Sequence, residues 1–141
     1  MVAPSQAVPI VLASVDESHL TRLRAIALAL PGVKERMSHS EPCFFVARRP
    51  LCYFHDDHRG DGRVSLWCPA PPGVPNELVA SEPDWFFRPT ASASGVFAAW
   101  LGVYLDGEGD SHVDWSEVAA IVEEAFRIVA PKHLVSRLDE K

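Results

Sequence analysis

The sequence lacks a long apolar stretch. Its 141 residues contain no continuous run of about 18 apolar residues, which a membrane span would need. The start, MVAPSQAVPIVLAS, has no basic region, and Pro9 interrupts its short apolar run, so the pattern does not indicate a secretory signal. These absences predict a cytoplasmic protein that does not interact with membranes. An apolar fraction of 48% over this length is enough to bury the core of one domain.

Cysteine is scarce as well. The three cysteines, Cys43, Cys52 and Cys68, show no C-x-x-C spacing, and an odd number does not suit a disulfide framework. We therefore expect neither structural disulfides nor a zinc site, but buried thiols in a reducing compartment.

The chain has no overall excess of basic residues. Its formal net charge is −6, and residues 106–141 hold nine acidic and four basic residues. Nonspecific nucleic-acid binding depends on neutralising phosphates, usually with a basic face. Any binding to DNA must therefore use a local basic patch.

Motifs of common enzymes are also missing. The serines at Ser92 and Ser94 do not lie in a G-x-S-x-G elbow, and no cofactor fingerprint occurs. We predict a protein without enzymatic activity and without a cofactor.

The first third of the chain contains one clear helix signal. Residues 1–13 are rich in Ala, Pro and Val without periodicity, which predicts a flexible lead before a single domain over residues 14–141. Ser14 and Glu17 have the spacing of a capping box, and Pro31-Gly32 would end the helix. Its apolar stripe is formed by Leu20, Leu23, Ile26, Ala27 and Leu30.

Three short strands follow. The segments CFFVA, LCYF and RVSLWC are rich in aromatic and β-branched residues and are separated by turn chemistry. The gaps between them predict an antiparallel meander whose two connecting bends lie at opposite ends of the sheet.

The second half predicts further helices and one more strand. Asn76 is a candidate cap for the helix ELVAS, and residues 100–105 favour a strand. Asp114 and Glu117 indicate the start of an amphipathic helix, and Pro131 precedes a last short helix, KHLVSRL. The whole pattern predicts an α+β fold in which N- and C-terminal helices pack on one face of an antiparallel sheet.

Several segments, in this order, resemble the MmcQ/YjbR family of small bacterial proteins. They are ALALPGVKE, SHSEPCFFV, DGRVSLWCPAPPG and WLGVYLDG followed by VDWSEVAAIVEEAFRIVAPKHL. The resemblance covers roughly residues 20–138 and marks His39, Glu41 and Pro42 as family-motif residues. It implies a double-winged α+β fold related to that of frataxin/CyaY, and DNA binding, the function with which members are commonly labelled.

Basic residues cluster in the two bends of the meander. Guanidinium groups there could reach phosphate oxygens, which suggests a DNA-binding surface. The alternative is that charged bends keep the loops solvated and block pairing of strand edges. The candidate residues are Arg48, Arg49, His58, Arg59 and Arg63.

Other polar groups suggest different chemistry. A pair formed by His39 and Glu41 could perform acid–base work, although no nucleophile accompanies it, which favours a structural hydrogen bond. The acidic loop before the C-terminal helices has the ligand spacing of an EF-hand calcium loop. It carries Ser111 at the position where the sharp turn of that loop needs glycine, so the alternative to a calcium site is a solvated turn. The candidate metal ligands of that loop are Asp106, Glu108, Asp110, Asp114 and Glu117.

A second function class remains open. A cleft between the meander and the proline-rich segment PAPPGVP, lined by Trp67 and Trp85, could bind a small molecule or a partner protein without any role for DNA.

Overall fold

The computed structural model describes residues 19–38, 41–56, 60, 62–89, 99–106 and 113–140. Within them, one antiparallel sheet of six strands has the order β1-β2-β3-β4-β6-β5. The strands are β1 (Val33–Ser38), β2 (Glu41–Val46), β3 (Arg49–Asp56), β4 (Val64–Pro69), β5 (Phe86–Phe87) and β6 (Trp100–Tyr104). The expected meander is β2-β3-β4, and its two bends lie at opposite ends of the sheet.

Four helices accompany the sheet in the described part of the chain. They are α1 (residues 19–27), α2 (Val74–Ser81), α3 (Trp115–Val129) and α4 (Lys132–Asp139). α3 packs on β3 and β4, and α2 packs on β5 and β6. The α+β class expected from the sequence is confirmed. The expected lead over residues 1–13 and the Ser14–Glu17 cap lie outside the described residues.

The two faces of the sheet differ in composition, because side chains alternate along each strand. The helix face carries a continuous apolar core. From the N-terminal part of the chain, Leu23 and Ala27 of α1 and Leu30 just after it belong to this core. The residues that α3 contributes are Val118, Val122, Ala125, Phe126 and Val129. We call the other face the aromatic face. By strand register it holds Phe45, Tyr53, His55, Trp67, Phe87, Trp100 and Tyr104.

The edge strand β1 has no counterpart among the strands expected from the sequence. It pairs with β2 in the register Val33↔Val46 to Ser38↔Glu41. Its sequence, VKERMS, is charged, and such residues protect sheet edges from pairing with other chains. The strand after it also begins earlier than expected, at Glu41 instead of Cys43.

The connection from β4 to β6 differs from expectation in two details. The N-cap of α2 is Gly73, in a left-handed conformation with φ 87°, and no side chain caps the helix. Asn76, the expected cap, lies inside the helix, where its amide oxygen accepts a hydrogen bond from Arg88. After α2 the chain forms the short edge strand β5, which the sequence did not reveal.

The last part of the chain follows the expectations closely. The strand expected over residues 100–105 is β6, and the expected last helix is α4. The Asp114 side chain caps α3 by accepting hydrogen bonds from the backbone N–H of Ser116 at 2.9 Å and of Glu117 at 3.3 Å. Among the described residues, no helix has both the length and the apolarity needed to cross a membrane.

Candidate functional site

The β2–β3 bend is tight and bears two of the candidate basic residues. Ala47 and Arg48 form its tip with φ values of 51° and 69°, the left-handed conformation required of both central residues in a type I′ turn. Arg48 is exposed. Arg49 points elsewhere, because its Nη1 donates to the carbonyl oxygen of Val129, the last residue of α3, at 3.2 Å. Only Arg48 of this pair therefore extends from the tip.

In the other bend, between β3 and β4, Arg63 is bound by neighbouring residues of the fold. Arg63 donates from Nε to Oδ1 of Asp106 at 3.0 Å and from Nη2 to the Asp106 carbonyl oxygen at 2.9 Å. Its guanidinium lies 3.8 Å from the ring centroid of Tyr104. The candidates His58 and Arg59 lie outside the described residues. Since β3 has eight residues, the two bends are roughly 27 Å apart at about 3.4 Å per residue. The described arginines of the two bends do not converge.

A different basic surface forms along the sheet edge. Lys34 and Arg36 lie on β1, on the aromatic face, opposite Phe45 and Cys43 of β2. The Arg36 guanidinium lies 4.6 Å from the ring centroid of Phe45. Because Val33 pairs with Val46, the hairpin tip with Arg48 lies next to the start of this strand. We call Lys34, Arg36, Phe45 and Arg48 the basic edge.

The three cations of the basic edge are exposed, and none forms an ion pair with a described residue. Most other described arginines are held by the fold. Arg24 pairs with Glu35 at 2.9 Å, and Arg127 pairs with Glu123 and Asp139. The sequence did not reveal the basic edge, because β1 was not expected and Lys34 and Arg36 meet Arg48 only through strand pairing.

The family-motif residue Glu41 contacts a histidine, His55. The Nδ1 atom of His55 lies 2.6 Å from Oε1 of Glu41. The other carboxylate oxygen of Glu41, Oε2, accepts a hydrogen bond from the backbone N–H of Asp56 at 3.0 Å. An ionised carboxylate only accepts hydrogen bonds, so Nδ1 carries the proton in this contact. His39 lies outside the described residues, while Pro42 is half-buried in β2 opposite Met37.

Rings pack closely around this pair on the aromatic face. The His55 and Trp67 ring centroids are 4.3 Å apart, and Tyr53 stacks on Trp100 at 5.6 Å with an interplanar angle of 24°. Phe87 lies 4.6 Å from Tyr104. His55 and Trp67 are each less than a tenth exposed. These contacts fix the orientation of His55, and they pack Trp67 and Trp100 against neighbouring rings of the sheet.

The structure does not bring the candidate cleft residues Trp67 and Trp85 together. Trp67 lies on the aromatic face, opposite Gly102. Trp85 lines a cavity of about 260 Å³ on the helix side, together with Phe86 and Val118. A second cavity, of about 380 Å³, lies between the proline-rich segment and α3.

The acidic loop contributes to the fold at both of its described ends. Both carboxylate oxygens of Asp106 accept hydrogen bonds, Oδ1 from Arg63 and Oδ2 from the Val64 backbone N–H at 2.9 Å. Asp114 caps α3, and Glu117 lies in its first turn. Glu108 and Asp110 lie outside the described residues. The part of the chain that the structure describes contains no group of three or more residues arranged to hold a metal ion.

The cysteines are buried free thiols. Burial raises the pKa of Cys43 to about 12, with a smaller opposing effect from Arg36, and raises the pKa of Cys68 to about 12. The pKa of Cys52 is raised well above its ordinary value, mainly by burial. The thiols are therefore protonated at neutral pH and poorly suited to nucleophilic attack.

An antiparallel sheet with its helices on one face defines the chain as an α+β protein of the kind expected from the sequence. Residues 28–128, more than two thirds of the chain, match the model of the YjbR family. The chain therefore belongs to the YjbR family.

A solved structure shows a similar fold. The crystal structure of the Deinococcus radiodurans protein DR2400, with a DUF419 domain, superimposes with a TM-score of 0.63 at 18% sequence identity. The similarity covers 85% of this chain and 87% of that one. No curated protein matches the sequence.

Proposed function

We propose that this YjbR-family protein is a non-enzymatic DNA-binding protein that holds single-stranded DNA weakly along the basic edge. The observation that carries the proposal is the alignment of three exposed cations, Lys34, Arg36 and Arg48, on one sheet edge without carboxylate partners among the described residues. Phosphate oxygens are suitable partners for such cations. The half-buried ring of Phe45 offers an aromatic surface beside them, a combination that favours single strands.

The net charge of the protein limits the strength of this binding. A chain with net charge −6 repels a polyanion at long range, and the basic edge acts only at short range. We expect a Kd of about 10⁻⁴ M or weaker at moderate salt, the weak end of nonspecific binding. If three phosphates of a single strand are contacted, a plot of log Kd against the logarithm of the salt concentration should have a slope of about 2.

Fluorescence anisotropy with a labelled oligothymidine tests the proposal. The double variant Lys34→Ala/Arg36→Ala should weaken binding and lower the salt slope by roughly 1.4, since two of three contacts are lost. The matched control is Lys132→Ala/Arg137→Ala, which removes the same charge from exposed positions of α4. The control should bind like the unmodified protein. Equal weakening by both double variants, or a flat titration at low salt, would overturn the proposal.

The proposal includes no chemical reaction. The imidazole and the carboxylate of the His55–Glu41 pair hold each other, and the Glu41 carboxylate also binds a backbone N–H. The cysteines are protonated and buried, as described above. Free thiols suit the reducing environment of the cytoplasm, the compartment to which we assign the protein.

A further inference from the structure

An apolar groove runs along α3 on the helix side of the molecule, away from the basic edge. The cavity of about 380 Å³ has apolar walls from Pro71, Val74, Ala120 and Ile121. It shares Glu117 and Ile121 with the cavity of about 260 Å³ that Trp85 lines. We call the two together the α2–α3 groove.

The groove is elongated. Its α3 lining extends from Asp114 to Glu124, at the spacing of one helix face, and this corresponds to roughly 15 Å at about 1.5 Å per residue. Ile128, seven residues after Ile121 and 42% exposed, continues the same face of α3 beyond the groove. A compact small molecule would cover only part of this length, whereas an apolar stripe two to three turns long on a helix would match it.

The rim of the groove carries charge of one sign. Glu82, Asp114, Glu117 and Glu124 contribute carboxylates, and no lysine or arginine lines either cavity. None of the four carboxylates forms an ion pair with a described residue. Like charges at this distance repel one another: burial raises the pKa of Glu117, and the neighbouring carboxylates of Glu82 and Asp114 raise it further. An occupant with cationic groups would relieve this repulsion.

We propose that the α2–α3 groove binds a basic amphipathic helix of a partner protein. Apolar side chains on one face of that helix would enter the groove beside Val74 and Ile121. Lysine or arginine residues flanking this face would meet Glu117 and Glu124. This binding mode places apolar anchors at helical spacing in a groove and uses complementary charge for specificity.

The test uses a synthetic amphipathic peptide with leucine along one helix face and lysine elsewhere. Binding is followed by calorimetry and by chemical-shift changes in ¹⁵N-labelled protein. We expect shift changes centred on Ile121 and Val74, and no binding of a matched peptide with glutamate in place of lysine. Small apolar amines should produce weaker changes at the same residues.

Matched variants separate docking in the groove from general attraction to an acidic protein. Glu124→Lys should weaken peptide binding by about tenfold, the effect of reversing one charge that faces a cation. Glu140→Lys makes the same change in net charge at the exposed position after α4 and should have little effect. Ile121→Ser should weaken binding, while Leu28→Ser, at an exposed apolar position outside the groove, should not.

Three outcomes would overturn the proposal. The first is equal loss of binding in Glu124→Lys and Glu140→Lys, which would indicate attraction by net charge alone. The second is shift changes that map to another surface, or none at all. The third is self-association of the protein that Glu124→Lys abolishes, which would assign the groove to a second copy of this chain.

Discussion

The Nδ1 atom of His55 lies 2.6 Å from Oε1 of Glu41, across the pair of strands β2 and β3. The two residues extend the register of the paired residues Cys43 and Tyr53 by two positions on each strand. The carboxylate also binds the Asp56 backbone N–H, so it joins one strand to the side chain and the backbone of the next. We interpret Glu41 as a residue that maintains strand pairing and the orientation of His55.

Replacing Glu41 with alanine should therefore destabilise the fold. The substitution removes the two hydrogen bonds that the Glu41 carboxylate forms with His55 and with the Asp56 N–H, and we expect the free energy of unfolding to fall by about 1–3 kcal/mol. Glu41→Gln should lower the free energy of unfolding by a smaller amount, because its amide oxygen can still accept one of the two hydrogen bonds. Urea unfolding at neutral pH measures both values. If both variants unfold like the unmodified protein, the pair does not support the fold.

Asp106 provides a test that separates a structural role from calcium binding. Because both of its carboxylate oxygens accept hydrogen bonds within the protein, we expect Asp106→Ala to lower stability by about 1–3 kcal/mol. Adding calcium should change the stability of neither protein. Asp84→Ala, at an exposed position, serves as the control. Stabilisation by calcium that disappears in Asp106→Ala would support a cation site at this loop instead.

The raised pKa of Glu117 predicts a dependence of stability on pH. Burial is the main cause, followed by the nearby Glu82 and Asp114. A carboxyl whose pKa is higher in the folded state binds its proton more tightly there, so stability falls as pH rises through the folded-state pKa. Glu117→Gln should thus raise the melting temperature near pH 7 and leave it unchanged near pH 3, below the ordinary glutamate pKa of about 4.3.

Thermal unfolding at the two pH values tests this dependence, with Glu140→Gln as a control for the general loss of negative charge. A lower melting temperature of Glu117→Gln near pH 7 would contradict the prediction. It would mean that the favourable interaction of an ionised carboxylate with the N-terminus of α3 is the larger effect.

Local patterns in the sequence predicted most of the fold. The α3 helix is an example, because Asp114 caps it and its apolar residues recur at helical spacing within one segment. The meander strands were also predictable from short runs of aromatic and β-branched residues. These signals depend on neighbours within a few residues, so they can be recognised without knowing the tertiary structure.

The edge strand β1 could not be predicted in this way. Glu35 points to the helix face, where its carboxylate pairs with Arg24 of α1 through two hydrogen bonds. Lys34 and Arg36 occupy the other face, so the strand shows no alternation of apolar and polar residues. The basic edge was missed for the same reason. The contact between Arg63 and Asp106 joins residues 43 positions apart, which no local pattern encodes.

Gly102 allows a close approach that the sequence also did not indicate. A Cβ atom at this position of β6 would lie 2.3 Å from the ring of Phe87 on β5. Gly102→Ala should therefore lower stability by about 1–3 kcal/mol through overpacking. In a Phe87→Ala background, Gly102→Ala should lower stability by a smaller amount. A double-mutant cycle should give a coupling energy of about 1 kcal/mol between the two positions. Additive effects would show that the ring moves aside without cost.

The β2–β3 bend carries strain that coincides with the proposed DNA contact. Ala47 and Arg48 both have positive φ, which costs residues with a side chain roughly 1–2 kcal/mol each. Arg48→Gly removes this penalty at one position, so we expect a stability gain of about 1 kcal/mol in urea unfolding. The same variant should bind oligothymidine more weakly and with a smaller salt slope, since one of three cations is lost. Ala47→Asn, which suits the turn and keeps the arginine, should preserve both binding and fold. If Arg48→Gly stabilises the protein and leaves DNA binding intact, the bend has no part in the basic edge.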